Sequence, residues 1–474
     1  MPTRDTVRIF FTLAALNDLE VLSADIQNAY LSAPIKEKYY VIAGDEFSDK
    51  YRGRPCKVVR ALYGLPIAGN NFRSHLNKAL RELGYNSCKA DPDLYFRVAV
   101  KTSGERYYEY LLAYVDDLLC CGERPDLQME AIAERFKLKE GSLMQPTLFL
   151  GADIEKHIFD DEPGKVRWAM SSTKYTAKAI ADVESKLKQE GLKLPTKVKT
   201  PLSSGYRPEL DGSRELNSEE QNYYQGVIGV LRWICELGRL DIIVAVSLLS
   251  RYLAQAREGH LEQSYHIFAY LKQYDRSKLV FDDSMPDIDN TSFPKCDWLD
   301  FYPDAKEVIP PDAPEPLGKP VRMTCFVDAD FAGCKETRRS HSGVIIYVNR
   351  APILWFSKRQ TTVETSTFGS EIVAMRIAIE LVEGLRYKLR MMGVPIEGSC
   401  NVMCDNESVV KNVSRPESSC KKKHNSVAYH KARESIAAKI IRVAKDSGAT
   451  NLADILTKLM AGPSLREMCK RIMY

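Results

Sequence analysis

The sequence predicts an α+β protein whose folded parts are separated by one compositional break. Three observations predict it. In residues 1–160 the apolar spacing runs helix, strand, helix, hairpin, helix, the pattern of an antiparallel sheet with helices packed on one side. Residues 161–280 read as mainly helical, and residues 281–320 as an acidic, proline-rich linker. From 321 to 474 strands alternate with helices, the pattern of an α/β domain.

The elements follow in order. Val7, Phe10, Phe11 and Ala14 repeat at helical spacing, and the run continues into Asn17, Asp18 and Glu20 without a cleavage site, so it is a first helix and not a signal peptide. Val21 begins a strand that ends in Asp25. Gly64 and Pro66 lead into a helix with Phe72, Leu76, Ala79, Leu80 and Leu83 on one face. Leu94 to Val100 and Tyr107 to Val115 are strands joined at Thr102-Ser103-Gly104, and Pro125-Asp126 opens a helix carrying Met129, Ile132, Ala133 and Phe136. The apolar segments Ile228 to Cys235, Ile242 to Leu253 and Gln263 to Tyr274 look structural. Beyond the break, Met323 to Asp328, Gly343 to Val348 and Ile353 to Ser357 are strands, Gly369 to Met392 a long helix and Asn401 to Cys404 a strand. Two further helices are expected at Val427 to Ala444 and Leu452 to Leu459.

Chemistry concentrates on carboxylates. Asp116 and Asp117 sit between the apolar runs Tyr110 to Val115 and Leu118 to Cys121, where two charges are costly unless a cation or donors meet them. A hairpin holding both at its tip would offer two hard oxygen ligands, suited to Mg²⁺ and substrate phosphates. The residues alone leave an ordinary polar turn open. In the C-terminal part Asp328 and Asp405 end strands, Glu371 stands near a helix start and Asp454 lies in the last expected helix. Their convergence would give a second acidic cluster suited to two metals.

Composition sets the bounds. The chain has 474 residues, 45% hydrophobic and 27% charged, enough for two or more cores. Its net charge of +4 says little about partners, but residues 281–316 hold ten acidic against two basic residues, and residues 411–474 hold fourteen basic against five acidic. The basic end is compatible with a polyanion or with a solvated face. Twelve cysteines without a C-x-x-C pair read as reduced thiols of an intracellular protein. Cys400, Cys404, Cys420 and His424 lack a zinc-knuckle spacing and are read as core thiols with an unrelated histidine. No apolar run approaches a membrane span, so no membrane partner is expected.

Ordered motifs then point to a family. They are Ser23 to Leu31, Leu62-Tyr63-Gly64-Leu65, Tyr114-Val115-Asp116-Asp117-Leu118-Leu119, Phe149-Leu150-Gly151, Val227-Ile228-Gly229 and Asp241 to Arg251. Asp328-Ala329-Asp330-Phe331-Ala332-Gly333, Ser357-Lys358-Arg359-Gln360, Cys404-Asp405-Asn406 and Leu452 to Lys458 continue the series. Together they resemble the reverse transcriptase and ribonuclease H region of a copia-type long-terminal-repeat retrotransposon polyprotein.

The resemblance implies a right-hand polymerase of palm, fingers and thumb, followed by an α/β ribonuclease H-like domain. It assigns 1–160 to palm with partial fingers, 161–280 to a helical thumb or connection, 281–320 to the linker and 321–474 to the ribonuclease. It implies RNA-directed DNA synthesis at Asp25, Asp116 and Asp117, and cleavage of RNA/DNA hybrids at Asp328, Glu371, Asp405 and Asp454. Each site would take two Mg²⁺, with Mn²⁺ as the alternative. Tyr30 falls on the aromatic that excludes a ribonucleotide 2′-hydroxyl, with core packing as the other reading, and Gly64 falls in a substrate-binding motif. His424 and His430 are either catalytic helpers or structural, and Lys421-Lys422-Lys423 either a phosphate contact or a solvated loop. RNA template, DNA primer, hybrid and deoxynucleoside triphosphates are the implied partners. A capsid-like particle in the cytoplasm, or the nucleus, is the implied location.

Departures from the family pattern temper these expectations. By the resemblance, the sequence is expected to begin downstream of the family's finger strands, and Ile67 stands where the family's glutamine helps place template and nucleotide. Phe368-Gly369-Ser370-Glu371 lacks a second acidic residue but keeps Glu371. Without protease or integrase signatures, the chain is expected to be a polyprotein fragment or a truncated gene. The competing expectation is a nucleic-acid-binding remnant, with ribonuclease H activity only or with no catalysis.

Overall fold

The computed structural model describes residues 2–275, 278–420 and 422–474, so Lys421 of the basic run lies outside the described residues. The chain divides into two compact units. The first comprises Met1–Pro146, Pro314–Lys319 and Met391–Val394, and the second Thr147–Ala313, Pro320–Arg390 and Pro395–Tyr474. This division falls at Pro146 rather than near 160, and it places the helical segment and the C-terminal strands in one unit.

The first unit opens with α1 (Arg4–Leu16), β1 (Glu20–Asp25) and the single turn α2 (Ala29–Ser32). The short strands β2 (Tyr40–Ile42) and β3 (Pro55–Lys57) pair with each other, and α3 (Ala68–Glu82) follows. Then come β4 (Asn86–Ser87), β5 (Leu94–Val100), β6 (Arg106–Tyr114), β7 (Asp117–Gly122) and α4 (Pro125–Ala133). The antiparallel sheet runs β1-β7-β6-β5-β4.

Strand periodicity sorts its side chains: Leu111, Ala113, Leu118 and Cys120 join Phe72, Leu76 and Leu80 of α3 and Met129 and Ile132 of α4 in one core. The sequence suggested helices on one side only, yet the other face is covered as well. Leu112, Leu119 and Cys121 are fully buried outside that core, and α1 packs against β7. On this face the Tyr110 hydroxyl donates to the Met392 carbonyl at 2.9 Å and the Tyr108 hydroxyl to the Glu315 carbonyl at 2.8 Å. Sequence periodicity could not foresee chain returning from 280 residues away to cover it.

The second unit begins with β8 (Leu148–Phe149), β9 (Ala152–Ile158) and β10 (Val166–Ser171), which form an antiparallel sheet with the later β11 (Leu279–Val280). A hairpin thus opens the segment expected to be mainly helical. Between β10 and β11 lie α5 (Thr173–Gln189), α6 (Ser218–Glu236), α7 (Ile243–Leu249) and α8 (Glu258–Gln273). Asn217 caps α6 by accepting from the Glu219 and Glu220 amides, and Glu220 returns the contact to the Asn217 amide.

The acidic segment up to Ala313 is packed within the second unit. Phe293 and Trp298 are buried, and Glu307 accepts paired hydrogen bonds from Arg386 at 2.8 Å and from Arg390. Its negative charge has partners within the unit, which is why a stretch that reads as a linker folds down.

The last sheet contains β12 (Met323–Asp330), β13 (His341–Val348) and β14 (Ala351–Arg359) as an antiparallel meander. The long helix α9 (Thr367–Met391), with Ile372, Met375, Ile379, Val382 and Leu389 fully buried, crosses over to β15 (Cys400–Cys404). β15 lies parallel to β12, giving the order β14-β13-β12-β15-β16. After α10 (Glu407–Ser414) and α11 (Ser426–Ala437), β16 (Ile441–Lys445) pairs parallel with β15.

The helix expected over Val427 to Ala444 therefore stops early. Lys439 takes a left-handed φ of 58°, and the run Ile441-Arg442-Val443, with β-branched Ile441 and Val443, finds a strand partner. The expected helix at Leu452 to Leu459 is a 3₁₀ segment, Leu452–Leu456, and α12 (Gly462–Cys469) closes the chain.

Candidate active sites

In the first unit β6 and β7 form the expected hairpin, with Val115 at a left-handed φ of 56° and Asp116 in the turn. Asp117 begins β7 and stands directly across from Asp25, the last residue of β1. The Ile26 amide donates to the Asp116 carbonyl at 2.8 Å, fastening the turn to the end of β1. Three carboxylates are thus gathered at one sheet edge. Burial, then Asp116 and Asp25, raise the Asp117 carboxyl, with Lys139 opposing. Tyr30 packs against Tyr63 with the rings tilted by 38° and their centroids 4.7 Å apart, and lies 6.2 Å from Phe72. Gly64 has a φ of 92°, a conformation that favours glycine.

The second site is tighter. In the parallel pair Val327 faces Cys404, so the next residues, Asp328 still within β12 and Asp405 just past β15, come side by side. Glu371 projects from the first turns of α9. Gln360 ties that helix to the meander, donating to the Ser342 hydroxyl at 2.9 Å and to the Ser370 carbonyl at 2.8 Å. Asp454 arrives on the 3₁₀ segment, which Asn451 fixes by donating to the Val327 carbonyl at 2.9 Å. Gly343 permits this approach: a β-carbon there would lie 2.6 Å from Thr457 Cγ2 and 2.9 Å from the Ala453 carbonyl.

Two overlapping groups close to within 4.8 Å, Asp328 with Asp405 and Asp454, and Asp405 with Glu371 and Cys404. Burial, then Asp328 and Asp405, push Glu371 up to about 9, and burial lifts Asp454 to about 6. Glu371 is only 6% exposed and its Oε2 has no hydrogen-bond partner. An orphaned buried oxygen among crowded carboxylates fits a divalent cation with oxygen ligands. The Cys404 thiol, in the second of these groups, is raised by burial and then by Glu371.

Sequence reasoning missed what surrounds these ligands. Lys458 Nζ lies 2.7 Å from Asp454 Oδ1 and 3.3 Å from Asp328 Oδ2, and the Thr457 hydroxyl donates to Asp328. Burial opposes the Lys458 charge, but Asp328 and Asp454 outweigh it and raise its pKa. Asp330, raised by burial and then by Asp328, borders the cluster. The signal available was the four-residue spacing of Asp454 and Lys458. Cys420 and His424 belong to neither close group. His424 Nε2 is 3.4 Å from Glu364, and His430 Nδ1 meets the Tyr302 hydroxyl at 2.7 Å.

Comparison with known proteins bears on both sites. Residues 2–185 match the family model described as reverse transcriptase (RNA-dependent DNA polymerase). The retrovirus-related Pol polyprotein from transposon RE1 of Arabidopsis thaliana is 23% identical over 471 residues, 98% of this chain and 28% of that protein. The corresponding polyprotein from transposon TNT 1-94 of Nicotiana tabacum is 26% identical over 476 residues, 98% of this chain and 32% of its own length. Over nearly its whole length the chain is similar to Pol polyproteins of copia-like transposons. It spans less than a third of the length of these relatives. The span matched to the reverse transcriptase model contains Asp25, Asp116 and Asp117, and the similarity to the polyproteins continues through the second carboxylate set. Among solved structures, LC11-RNase H1 in complex with RNA/DNA hybrid aligns over 30% of this chain and 99% of its own, at 16% identity and a TM-score of 0.24. The N-terminal RNase H domain of a Mycobacterium tuberculosis protein aligns over 32% and 97%, at 13% identity and a TM-score of 0.23.

Proposed function

We propose that this chain is the polymerase and ribonuclease H portion of a retrotransposon Pol polyprotein, copying RNA into DNA and cutting RNA in RNA/DNA hybrids. The observation that carries the reading is the convergence of Asp328, Asp405 and Asp454 within 4.8 Å, beside a Glu371 whose Oε2 is buried without a partner. The first unit would supply the palm with partial fingers, and β8 to α8 the thumb or connection. The strand order β14-β13-β12-β15-β16, with β15 and β16 parallel to β12, supports a ribonuclease H-like reading of the last sheet.

In the polymerase, Asp25, Asp116 and Asp117 would hold two Mg²⁺ against the triphosphate of an incoming deoxynucleotide, and Tyr30 would limit space at its 2′ position. In the ribonuclease, Asp328, Glu371, Asp405 and Asp454 would hold two more. Held by these carboxylates, divalent cations would supply Lewis-acid stabilisation of phosphoryl transfer. The chain's own part is to bring carboxylates together against their mutual repulsion. Glu371 would give up its proton to become a ligand, Thr457 orients Asp328, and Lys458 offsets charge between Asp328 and Asp454.

A second reading, ribonuclease cleavage without synthesis, is favoured by one observation. Among the described residues the acidic groups that close to within 4.8 Å lie in the second site alone. Primer extension on an RNA template with Mg²⁺, run beside cleavage of an RNA/DNA hybrid, tests both. Extension and cleavage together are expected; cleavage alone would establish the second reading, and neither would overturn both.

A further inference from the structure

The segment Ile242 to Leu253, which read as structural, contains a residue that the proposed chemistry leaves unused, Arg251. Arg251 follows α7 and lines a cavity of about 220 Å³ with Arg207, Arg339 and His341. The same cavity reaches Asp330 and Lys458, which border the ribonuclease carboxylates. Among the described residues, none of the three guanidinium groups has a carboxylate at ion-pair distance. Arg207 donates weakly to the Gly333 carbonyl at 3.4 Å.

The hydrogen bonds define how Arg251 is held. The Ser357 hydroxyl donates to the Leu456 carbonyl at 2.7 Å, so it accepts from His341 Nε2 at 2.9 Å. His341 therefore carries its proton on Nε2, and Nδ1 accepts from Arg251 Nη2 at 3.0 Å. This neutral partner orients the guanidinium without neutralising it. Arg251 Nε is buried and has no hydrogen-bond partner. Two acidic side chains share the cavity. Glu209 is engaged by the Lys335 amide at 2.9 Å, and Asp330, beside Gly333 in the same lining, is acted on electrostatically by Arg207 and Arg251 but forms an ion pair with neither among the described residues. A desolvated, oriented guanidinium with an unused donor is costly unless an anion meets it.

We propose that Arg251, with Arg207 and Arg339, forms a phosphate-binding pocket that grips one backbone phosphate of the nucleic acid lying in the ribonuclease site. The volume accommodates a phosphate group, and guanidinium forks suit phosphate oxygens. Continuity with Asp330 and Lys458 places the anchored phosphate beside the cleaved strand, so the pocket would set which bond meets the carboxylates. The proposal rests on the ribonuclease H reading.

The test uses the full chain and an RNA/DNA hybrid whose phosphates are replaced one at a time by neutral methylphosphonates, with binding followed by fluorescence anisotropy in Ca²⁺. Wild type is expected to lose affinity strongly at one position, and Arg251→Met to be indifferent there. The salt dependence of Arg251→Met should be shallower by about one unit of log Kd against log salt. Arg251→Lys should restore the slope but only part of the affinity. If Arg251→Met does not fold, the exposed Arg207→Gln must show reduced sensitivity at the same position. Identical scans for wild type and variants, with hybrid cleavage intact, would overturn the pocket alone. Failure of wild type to bind hybrid at all would overturn the ribonuclease reading and the pocket with it.

Discussion

Asp25 and Asp117 stand opposite each other across the antiparallel pair of β1 and β7, although 91 residues of chain separate them. Asp116 is drawn into the same edge through its carbonyl, which accepts from Ile26. Its loss should therefore act on synthesis alone. Asp116→Asn is expected to reduce primer extension at least a hundredfold while hybrid cleavage stays within about twofold, and Asp405→Asn to do the reverse. Parallel loss of both activities in either variant would show that the two carboxylate sets do not work separately.

Glu371, pushed up to about 9, is protonated at pH 8 until a cation binds. Mg²⁺ binding should then release a proton, and affinity should rise with pH up to about 9. Calorimetry in buffers of different ionisation enthalpy would read the release directly. In Glu371→Gln it should fall by close to one proton; an unchanged value would place the proton elsewhere.

Gly343 is where the 3₁₀ segment bearing Asp454 meets β13. A β-carbon would come within 2.9 Å of three atoms, one of them the Ala453 backbone oxygen. Gly343→Ala is expected to cost about 1–3 kcal/mol by overpacking and to depress hybrid cleavage more than extension. Urea unfolding and the paired assays measure the two effects, and a variant as stable as wild type would show that the segment can shift freely.

His341 is buried and its pKa is lowered to about 3 by burial, then by Arg251 and Arg359. Its unfolded value is near 6.5, so between these limits the unfolded chain binds the extra proton. The contribution is complete above about pH 6.5 and is lost as pH falls toward 3, with a slope of up to ~1.4 kcal/mol per pH unit. His341→Asn should be less stable at pH 7.5 but flatter between pH 6.5 and 4.5. Denaturation midpoints that fall in parallel for both proteins would remove His341 as the cause.

Tyr30 rests on Tyr63 and Phe72, so its ring position is set by aromatic packing. If it also limits the 2′ position, Tyr30→Val should admit ribonucleotides into the extension product at least tenfold more often. Alkaline cleavage of the product reports this, and an unaltered ratio would leave Tyr30 as packing only.

Much of this was legible along the chain. Alternation through Tyr107 to Cys121 determined the hairpin and put Asp116 at its tip, because a strand's side-chain period is local. The helical spacing of Phe72, Leu76 and Leu80 likewise determined the face of α3 that is buried. The run Ile441 to Lys445 was different: its apolar residues suit a helix or a strand, and only β15 lying alongside decided for a strand. The acidic segment looked like a linker until Arg386 and Arg390, far along the chain, met Glu307. The same holds for Lys458 among the carboxylates and for Arg251 against His341. The sequence by itself determined the elements and named the seven carboxylates, since both depend on local spacing and ordered motifs. Tertiary structure decided which charges meet, because register between distant strands and the burial around them set each carboxylate's neighbours and its proton.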